Sequence, residues 1–396
     1  MATLRDYEQI IGSDAIARII DKAQPLLGKR IIEINSALSG GGVAELLVTQ
    51  VDLLQDLGIH SERHVIAGSE AFFGVTKRIH NALQSDHSVL SAEDKELYES
   101  TVKAAAAHLP HDADLIMVHD PQPLPLIEAV AKQQPWAWRC HVDLSHPDTA
   151  VWKYLAPWVN QYDRMMVSLP QYRQDVAIPQ VICAPAIDPL SPKNVVLDDV
   201  TIKQRLERYG IPLDRPILAQ ISRFDKWKDP AGVIEAFDLI RESTDAVLVL
   251  LGNFVVDDPE SQELFRAIQR DDDPRVLVLP HGDDLELVSA LQWRADIVIQ
   301  KSIREGFGLT VTEAMWRGKP VVGGDTDGIR AQITDGVDGF VVDSVTACAK
   351  RMESLLSDAV LREKIGTAAK ESVRKSYLFP RMIEDIIDLY VSLLET

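Results

Sequence analysis

Cysteine is scarce in this chain of 396 residues: it occurs three times, at Cys140, Cys183 and Cys348. The number is odd, the spacing is wide and no Cys-x-x-Cys pair is present, so the sequence predicts neither a disulfide framework nor a zinc site. Apolar runs of membrane length are also missing, and residues 1–30 carry scattered charges rather than the pattern of a signal peptide. We therefore expect a soluble, cytoplasmic protein whose cysteines are packing residues.

Basic residues are few relative to acidic ones: 41 Lys and Arg stand against 60 Asp and Glu, which gives a net charge of −19. This charge repels nucleic acids and anionic membranes, so neither is predicted as a partner. An anionic substrate would need a local positive site. The Gly-x-Gly-x-x-Gly fingerprint and the Walker lysine are missing as well, which argues against NAD-binding and P-loop functions.

Short apolar runs alternate with helical patterns along the chain, which predicts the α/β class with parallel sheets. Roughly six such units fall on each side of the proline-rich segment 185–192, which indicates a linker between two doubly wound, Rossmann-like domains. The predicted domains are residues 1–189, with a helical lead-in over 1–28, and residues 190–378. A last helix is predicted over 379–396, whereas residues 72–83 are too irregular to assign.

The stretch 302–316 combines two carboxylates, a glycine turn and a helix start at one strand-to-helix junction. The turn Gly306-Phe307-Gly308 lets the backbone approach a ligand closely and leaves the first N–H groups of the helix free to point at an anion. Glu305 follows the strand end, where open α/β sheets bind ligands, and Glu313 lies about a turn into the helix. This pattern predicts a sugar-nucleotide site; the alternative is a capping glutamate followed by a solvated one.

Arg223 and Lys228 lie between a predicted strand and a predicted helix and provide the local positive site that an anionic substrate needs. Arg223 offers a fork suited to phosphate, and Lys228 offers a mobile point charge. A solvated basic loop is the alternative. Gly41 and Gly42, in a glycine-rich turn before a helix, are a weaker phosphate-binding candidate, because tight packing also explains such a turn.

Polar residues end two successive predicted strands: His119 and Asp120 end one, and His141 and Asp143 end the next, which is predicted over 136–143. Such groups at neighbouring strand ends predict a polar pocket floor. Asp and neutral His are well suited to bind sugar hydroxyls. The rival interpretation is a metal site, but the spacing does not match a metal-ligand motif, so no metal site is predicted.

The segment E-G-F-G-L-T-V-T-E-A-M at 305–315 resembles the donor-site signature of retaining GT-B glycosyltransferases of the glycogen-synthase-like group, within glycosyltransferase family 4. The segment S-R-F-D-K-W-K at 222–228 resembles the R-x4-K diphosphate site of these enzymes. Four segments narrow the resemblance to trehalose glycosyltransferring synthases: V-H-D-P-Q-P at 118–123, W-R-C-H-V-D-L-S at 138–145, F-F-G-V-T-K with H-N-A-L-Q at 72–84, and S-I-R-E-G-F-G-L-T-V-T-E-A-M-W at 302–316. The resemblance implies a GT-B fold, with two Rossmann-like domains facing across a cleft and a C-terminal helix that crosses back to the first domain.

The resemblance also implies roles for individual residues. Donor-binding roles fall on Gly41, Gly42, Arg223, Lys228, Glu305, Gly306, Phe307, Gly308, Leu309 and Glu313, and acceptor-binding roles fall on His119, Asp120 and His141. Glu305, Asp120, His141, Arg223 and Lys228 are expected to be catalytic. In this family the first glutamate and the amides after it hold the donor sugar, and the second glutamate holds the ribose.

The activity implied by the resemblance is transfer of glucose from an NDP-glucose to free glucose, forming α,α-trehalose and NDP, in a reversible reaction. The donor is ADP-, UDP- or GDP-glucose, and the residues do not choose between these bases. No cofactor is expected to be required; Mg²⁺ is expected to stimulate by accompanying the diphosphate. A homodimer is the expected assembly.

Other functions stay open at this point. A trehalose phosphorylase would use phosphate in place of the nucleotide and would not need Glu313, and a GT-B transferase with another sugar acceptor would keep the donor site. A hydrolase would use Glu305 and Glu313 as an acid/base pair, which must flank one bond. A non-catalytic sugar-nucleotide binding module would leave Asp120 and His141 unused.

Overall fold

The computed structural model describes residues 2–38, 42–84, 87–110, 112–253, 259–270 and 272–395. The chain divides into two compact units: Met1–Ala186 together with Phe379–Thr396, and Ile187–Leu378. The chain first passes from one unit to the other within the proline-rich segment 185–192.

The first unit is built on a six-stranded sheet with the strand order β2-β1-β3-β4-β5-β6, in which every pairing is parallel. Its strands are β1 (Arg30–Asn35), β2 (His60–Val65), β3 (Leu115–His119), β4 (Trp136–Cys140), β5 (Arg164–Val167) and β6 (Gln180–Ile182). Its helices before the crossing are α1 (Glu8–Ile11), α2 (Ser13–Ala23), α3 (Gly42–Asp56), α4 (Glu70–Leu83), α5 (Ala92–Ala106), α6 (Leu126–Ala129) and α7 (Thr149–Val159).

The second unit repeats this plan with the strand order β12-β11-β10-β7-β8-β9, again wholly parallel. Its strands are β7 (Ile217–Ile221), β8 (Val247–Leu251), β9 (Val276–Leu279), β10 (Ile297–Gln300), β11 (Val321–Gly324) and β12 (Phe340–Val342). Its helices are α8 (Asp199–Arg208), α9 (Pro230–Ile240), α10 (Pro259–Ile268), α11 (Leu285–Arg294), α12 (Leu309–Trp316), α13 (Asp327–Arg330), α14 (Val345–Ser357) and α15 (Ala359–Ser376).

The central strands are buried on both faces, as expected for a parallel sheet covered by helices. All five residues of β3 and all five of β8 are buried, which explains why these strands read as continuous apolar runs rather than as alternating patterns. All three cysteines are free and buried. Among the described helices, none is long and apolar enough to cross a membrane.

The segment that the sequence left unassigned is an ordinary amphipathic helix, α4. Ser69 caps it by accepting a hydrogen bond from the Phe72 N–H, and Phe72, Val75 and Ile79 point into the core at helical spacing. Gly74, the basic residues at 77 and 78 and the polar residues at 80 and 81 hid this period in the sequence. The structure therefore assigns this segment as a helix, which was the alternative that the sequence left open.

The last helix, α16 (Phe379–Leu394), belongs to the first unit. Its buried face includes Ile383, Ile387 and Tyr390, and its charged side pairs with the N-terminal helix α2. Arg18 of α2 bonds Glu384 at 2.8 Å, and Lys22 bonds Asp388 at 2.7 Å. The chain thus returns to its first sheet after completing the second.

Candidate active site

A polar cluster forms where β10 and β7 of the second unit end. The ammonium of Lys228 lies 2.5 Å from Glu305 Oε2, and the Ser302 hydroxyl donates to the same oxygen at 3.1 Å. Gln300, the last residue of β10, in turn donates to the Ser302 hydroxyl at 3.0 Å. Because β7 and β10 are adjacent parallel strands, both loops emerge at the carboxyl edge of the sheet, where such folds bind ligands.

The loop that carries Glu305 is held by close packing against α13 and the turn that follows it. A Cβ atom on Gly328 would lie 2.6 Å from Phe307 Cα and 2.7 Å from the Glu305 carbonyl oxygen. The Gln332 amide donates to the Phe307 carbonyl at 2.5 Å, and Gly308 adopts φ +87°, which suits glycine and starts α12. The glycines of this segment therefore serve a fixed loop geometry, with backbone and carboxylate held in place.

Arg223 stands outside this cluster although it follows β7 at the same edge of the sheet. Its guanidinium lies 3.5 Å from Asp225, and its side chain is 62% exposed. Neighbouring residues tie the two loops together, since the Ile303 N–H donates to the Trp227 carbonyl at 2.9 Å and Arg304 lies over the Trp227 ring at 4.1 Å. The structure therefore joins Lys228 to Glu305 and leaves Arg223 facing solvent.

Glu313 has different partners from Glu305, although only seven residues separate the two. It lies in α12, is almost fully buried, and is 2.7 Å from the ammonium of Lys193. Gln292 donates to its other oxygen at 3.1 Å. Sequence reasoning missed Lys193 because it lies in an irregular segment after Pro192, with no pattern that could link it to a glutamate far along the chain.

The predicted histidines and aspartate of the first unit come together at the ends of β3 and β4. His119 Nδ1 lies 3.1 Å from His141 Nε2, and the Asp120 carboxylate accepts from the His141 backbone N–H at 2.9 Å. The register pairs His119 with Arg139 on the adjacent parallel strand, so the residues after each strand end side by side. The expected polar group at this sheet edge is therefore present.

Asp120 is held in an unusual conformation. Its φ of +65° is left-handed, which is uncommon for a residue other than glycine and typical of strained functional positions. Its N–H donates to the Arg139 carbonyl, and its own carbonyl accepts from the Trp138 indole. Burial raises the pKa of Asp120 to about 6, although the His141 N–H and the nearby charge of Arg139 act in the opposite direction.

Burial lowers the pKa of His119, and it lowers the pKa of His141 further below its usual range. The charge of Arg139 adds to this effect at both rings. The two imidazoles are therefore neutral at neutral pH, when each ring has one donor nitrogen and one acceptor nitrogen.

His119 needs a revised role. Its side chain is fully buried and lies between His141 and Glu33, whose Oε2 is 2.7 Å from His119 Nε2. A side chain enclosed in this way supports its neighbour rather than reaching an acceptor itself, because both ring nitrogens already have partners. Sequence reasoning missed Glu33, although a charged residue inside the apolar strand β1 was a signal that could have found it.

The remaining predicted residues are placed as follows. Gly42 is the first residue of α3, whereas Gly41 lies outside the described residues. Leu309 is the first residue of α12. Within the described ranges, no group of three or more His, Cys, Asp or Glu side chains is arranged to hold a metal ion.

Two family descriptions match the chain in succession. Residues 33–174 match "Trehalose synthase, N-terminal domain", and residues 202–372 match "Glycosyl transferases group 1". The trehalose synthase of Pyrococcus horikoshii is 42% identical over 98% of this chain and 96% of that protein. The trehalose phosphorylase of Grifola frondosa is 28% identical over 93% of this chain but only 58% of the phosphorylase.

Solved structures with the same fold have much lower sequence identity. Trehalose-6-phosphate synthase OtsA matches with a TM-score of 0.73 at 12% identity, covering 93% of this chain and 99% of that one. Anabaena HepE in complex with UDP-glucose matches with a TM-score of 0.69 at 18% identity, covering 92% and 99%. At these identities the likeness concerns the fold alone, and it confirms the predicted GT-B fold.

Proposed function

Because the chain belongs to the trehalose synthase family of glycosyltransferases, we propose that it transfers glucose from an NDP-glucose to free glucose. The products are α,α-trehalose and NDP, and the reaction also runs in reverse. The family membership fixes trehalose-related glycosyl transfer, whereas the NDP-glucose donor and the glucose acceptor are part of the proposal. Support for the donor also comes from HepE, whose structure contains UDP-glucose on the same fold.

The observation that carries the donor half is the cluster of Lys228, Glu305 and Ser302 at the carboxyl edge of the second sheet. Breaking the bond from the sugar to the diphosphate places negative charge on the leaving group, and fixed cations stabilise that charge. Arg223 is open to solvent and can accept a diphosphate directly. Lys228 already pairs with Glu305, so its ammonium would contact both the diphosphate and this carboxylate. The shared cation would hold the carboxylate beside the glucosyl group that is attached to the diphosphate.

Glu305 is proposed to orient the glucosyl ring, together with the backbone amides of Gly306, Phe307, Gly308 and Leu309. Glu313 is proposed to hold the ribose, since a buried carboxylate fixed by Lys193 and Gln292 is a rigid acceptor for hydroxyl groups. The glycine-rich turn at Gly41 and Gly42 is proposed to contribute to binding of the donor phosphates. Magnesium, where it takes part, would arrive with the diphosphate.

In the first unit, Asp120 and His141 are proposed to bind sugar hydroxyls, with His119 acting behind them. No residue is assigned as a covalent nucleophile. We therefore propose retention of configuration through attack on the same face as the departing diphosphate, whose oxygen takes the proton of the acceptor hydroxyl.

A trehalose phosphorylase is the second candidate, because a phosphorylase matches most of this chain. Hydrolysis by a pair of glutamates fits less well, since Glu305 and Glu313 are held by separate partners rather than converging on one point.

The reverse reaction separates these candidates. Purified protein is incubated with trehalose and, in turn, ADP, UDP, GDP or inorganic phosphate, and the sugar products are identified by chromatography. NDP-glucose formed with one nucleotide supports the proposal, whereas glucose 1-phosphate formed only with phosphate would establish the phosphorylase instead.

Two variants test the donor site in the same assay. Glu305→Gln should lower kcat at least about 100-fold, the order of loss seen when one fixed charge-stabilising group is removed. Glu235→Gln, on the exposed side of α9, is the matched control and should retain full activity. Equal activity of the two variants would remove Glu305 from the mechanism.

A further inference from the structure

A continuous line of hydrogen bonds runs from a buried carboxylate to His141. Glu33 Oε2 lies 2.7 Å from His119 Nε2, and His119 Nδ1 lies 3.1 Å from His141 Nε2. The centres of the two imidazole rings lie 5.4 Å apart, and their planes are inclined by 22°. His141 is partly exposed, whereas His119 and Glu33 are fully buried. The line therefore begins in the core and ends at the candidate site.

The other oxygen of Glu33 is fixed by two donors. The Tyr390 hydroxyl of the last helix donates to Oε1 at 2.5 Å, and the Gln50 amide of α3 donates to it at 2.7 Å. The carbonyl of Gln50 accepts from Arg139 at 3.2 Å, which fixes the orientation of the Gln50 amide. Burial raises the pKa of Tyr390 well above its usual value, so the phenol keeps its proton and must donate. Every partner on this side of Glu33 is a donor.

These contacts determine which nitrogens carry protons. A carboxylate only accepts hydrogen bonds, so His119 must donate from Nε2. A neutral His119 then accepts at Nδ1, so His141 must donate from Nε2. We infer that Glu33, acting through His119, fixes His141 in the tautomer with its proton on Nε2 and its Nδ1 free to accept, which makes Glu33 a positioning residue for sugar binding. The assignment of the protons rests on these contacts and on the burial that keeps His119 neutral, whereas their use in sugar binding rests on the proposed function.

The consequence for the ligand is specific. Asp120 and His141 Nδ1 both present acceptors, so a bound sugar must offer hydroxyl donors to both. A reversed His141 would instead present an N–H, so the sugar hydroxyl would have to turn, accept from this N–H and place its own hydrogen elsewhere. The hydrogen-bonding character of the candidate site is therefore set by a carboxylate that never touches the ligand.

Glu33→Gln should reverse the tautomers of His119 and His141 while keeping the shape of the side chain at position 33. The glutamine carbonyl is held on the side of Tyr390 and Gln50, because both donate there, so its NH₂ faces His119. His119 must then accept at Nε2 and donate from Nδ1, and His141 must accept at Nε2 and carry its proton on Nδ1. Tyr390→Phe is the matched control, because it removes one hydrogen bond to Glu33 but leaves the carboxylate facing His119.

The test is ¹⁵N NMR of protein labelled at histidine, in which the ring nitrogen shifts and couplings report which nitrogen is protonated. The signals of His141 are assigned by their loss in His141→Asn. In the wild-type protein, the proton of His141 should be on Nε2. This result depends on the folding of only one variant, the His141→Asn used for assignment. Glu33→Gln should show it on Nδ1, and Tyr390→Phe should match the wild type. A wild-type proton on Nδ1, or an unchanged tautomer in Glu33→Gln, would overturn the inference.

Activity gives a second readout. Placing a donor where the sugar needs an acceptor should lower kcat/KM about 10- to 100-fold in Glu33→Gln. For an equal loss of thermal stability, Glu33→Gln should lose more kcat/KM than Tyr390→Phe. If Glu33 had a purely structural role, the loss of kcat/KM would follow the loss of stability in the same way in both variants. If the tautomer reverses in a protein that makes no trehalose with any donor, the histidine assignment is supported and the proposed function alone fails.

Discussion

Replacing Asp120 with asparagine should make the protein more stable and less active. Burial raises the pKa of Asp120 from its ordinary 3.8 to about 6. Each unit of pKa shift corresponds to about 1.36 kcal/mol, so keeping this side chain ionised in the folded state costs up to about 3 kcal/mol. Because the folded pKa is the higher one, the penalty is absent below pH 3.8, grows between 3.8 and 6 and is complete above 6.

Asparagine removes the charge and keeps the local geometry. Its carbonyl can still accept from the His141 N–H, and asparagine tolerates the left-handed backbone at φ +65°. The free energy of unfolding of Asp120→Asn should exceed that of the wild type by up to about 3 kcal/mol at pH 8 and about 2 kcal/mol at pH 5.5. Its kcat/KM should fall about 10- to 100-fold, because a charged acceptor binds a hydroxyl more strongly than a neutral one.

Urea unfolding at pH 8 and pH 5.5 measures the stability difference, and initial rates measure the activity. Asp175→Asn, at an exposed position of the first unit, is the matched control and should change the free energy of unfolding by no more than about 0.5 kcal/mol. An Asp120→Asn protein that is less stable than the wild type at pH 8 would refute the argument, because the ionised carboxylate would then be a net source of stability.

Gly328→Ala tests whether close packing holds the Glu305 loop in place, because the new methyl group would lie only 2.6 to 2.8 Å from the loop backbone. We expect the free energy of unfolding to fall by about 1–3 kcal/mol and kcat to fall at least tenfold. Gly336→Ala is its control: the position has φ +74° and no neighbouring atom within 4 Å, so about 1–2 kcal/mol of stability should be lost without loss of activity. Equal activities of these two variants would contradict the role of close packing. Lys193→Ala should raise the KM for the NDP-glucose about tenfold and leave the KM for glucose unchanged, because it removes the cation that holds the buried Glu313. Initial rates with each substrate varied in turn measure the two KM values. A change confined to the KM for glucose would count against binding of the ribose by Glu313.

Local patterns were sufficient to predict the sheets and the loops at their edges. The apolar runs of β3, β8 and β10 identified buried parallel strands, and residues placed just after strand ends, such as Asp120 and Glu305, lie at the carboxyl edges of their sheets. This worked because strand direction is shared within a parallel sheet, so the position of a residue relative to its strand end determines its place.

The supporting residues could not be predicted in this way, because their partners are distant in sequence. Glu33 meets His119 across 86 residues and meets Tyr390 across 357 residues. The sequence shows that Glu33 is unusual within an apolar strand, but only the packed sheet and the returning helix α16 show what it binds. Lys193 and Glu313 form a similar distant pair.

The left-handed conformation of Asp120 was also beyond sequence reasoning. A proline follows Asp120, which favours extended backbone rather than a positive φ. The conformation results from fixing both its backbone groups, by Arg139 and by Trp138, on the adjacent strand. Such over-determined positions appear only when the tertiary contacts are known.

The forward reaction is the decisive test of the proposed glucosyl transfer from an NDP-glucose to glucose. The purified protein is incubated with glucose and ADP-, UDP- or GDP-glucose in turn, and NMR and chromatography identify the disaccharide and the released NDP. We expect α,α-trehalose with at least one donor, and we expect its formation to be lost in Glu305→Ala and Arg223→Ala. NDP release without trehalose, or no turnover with any donor from a folded protein that cleaves trehalose only with phosphate, would contradict it.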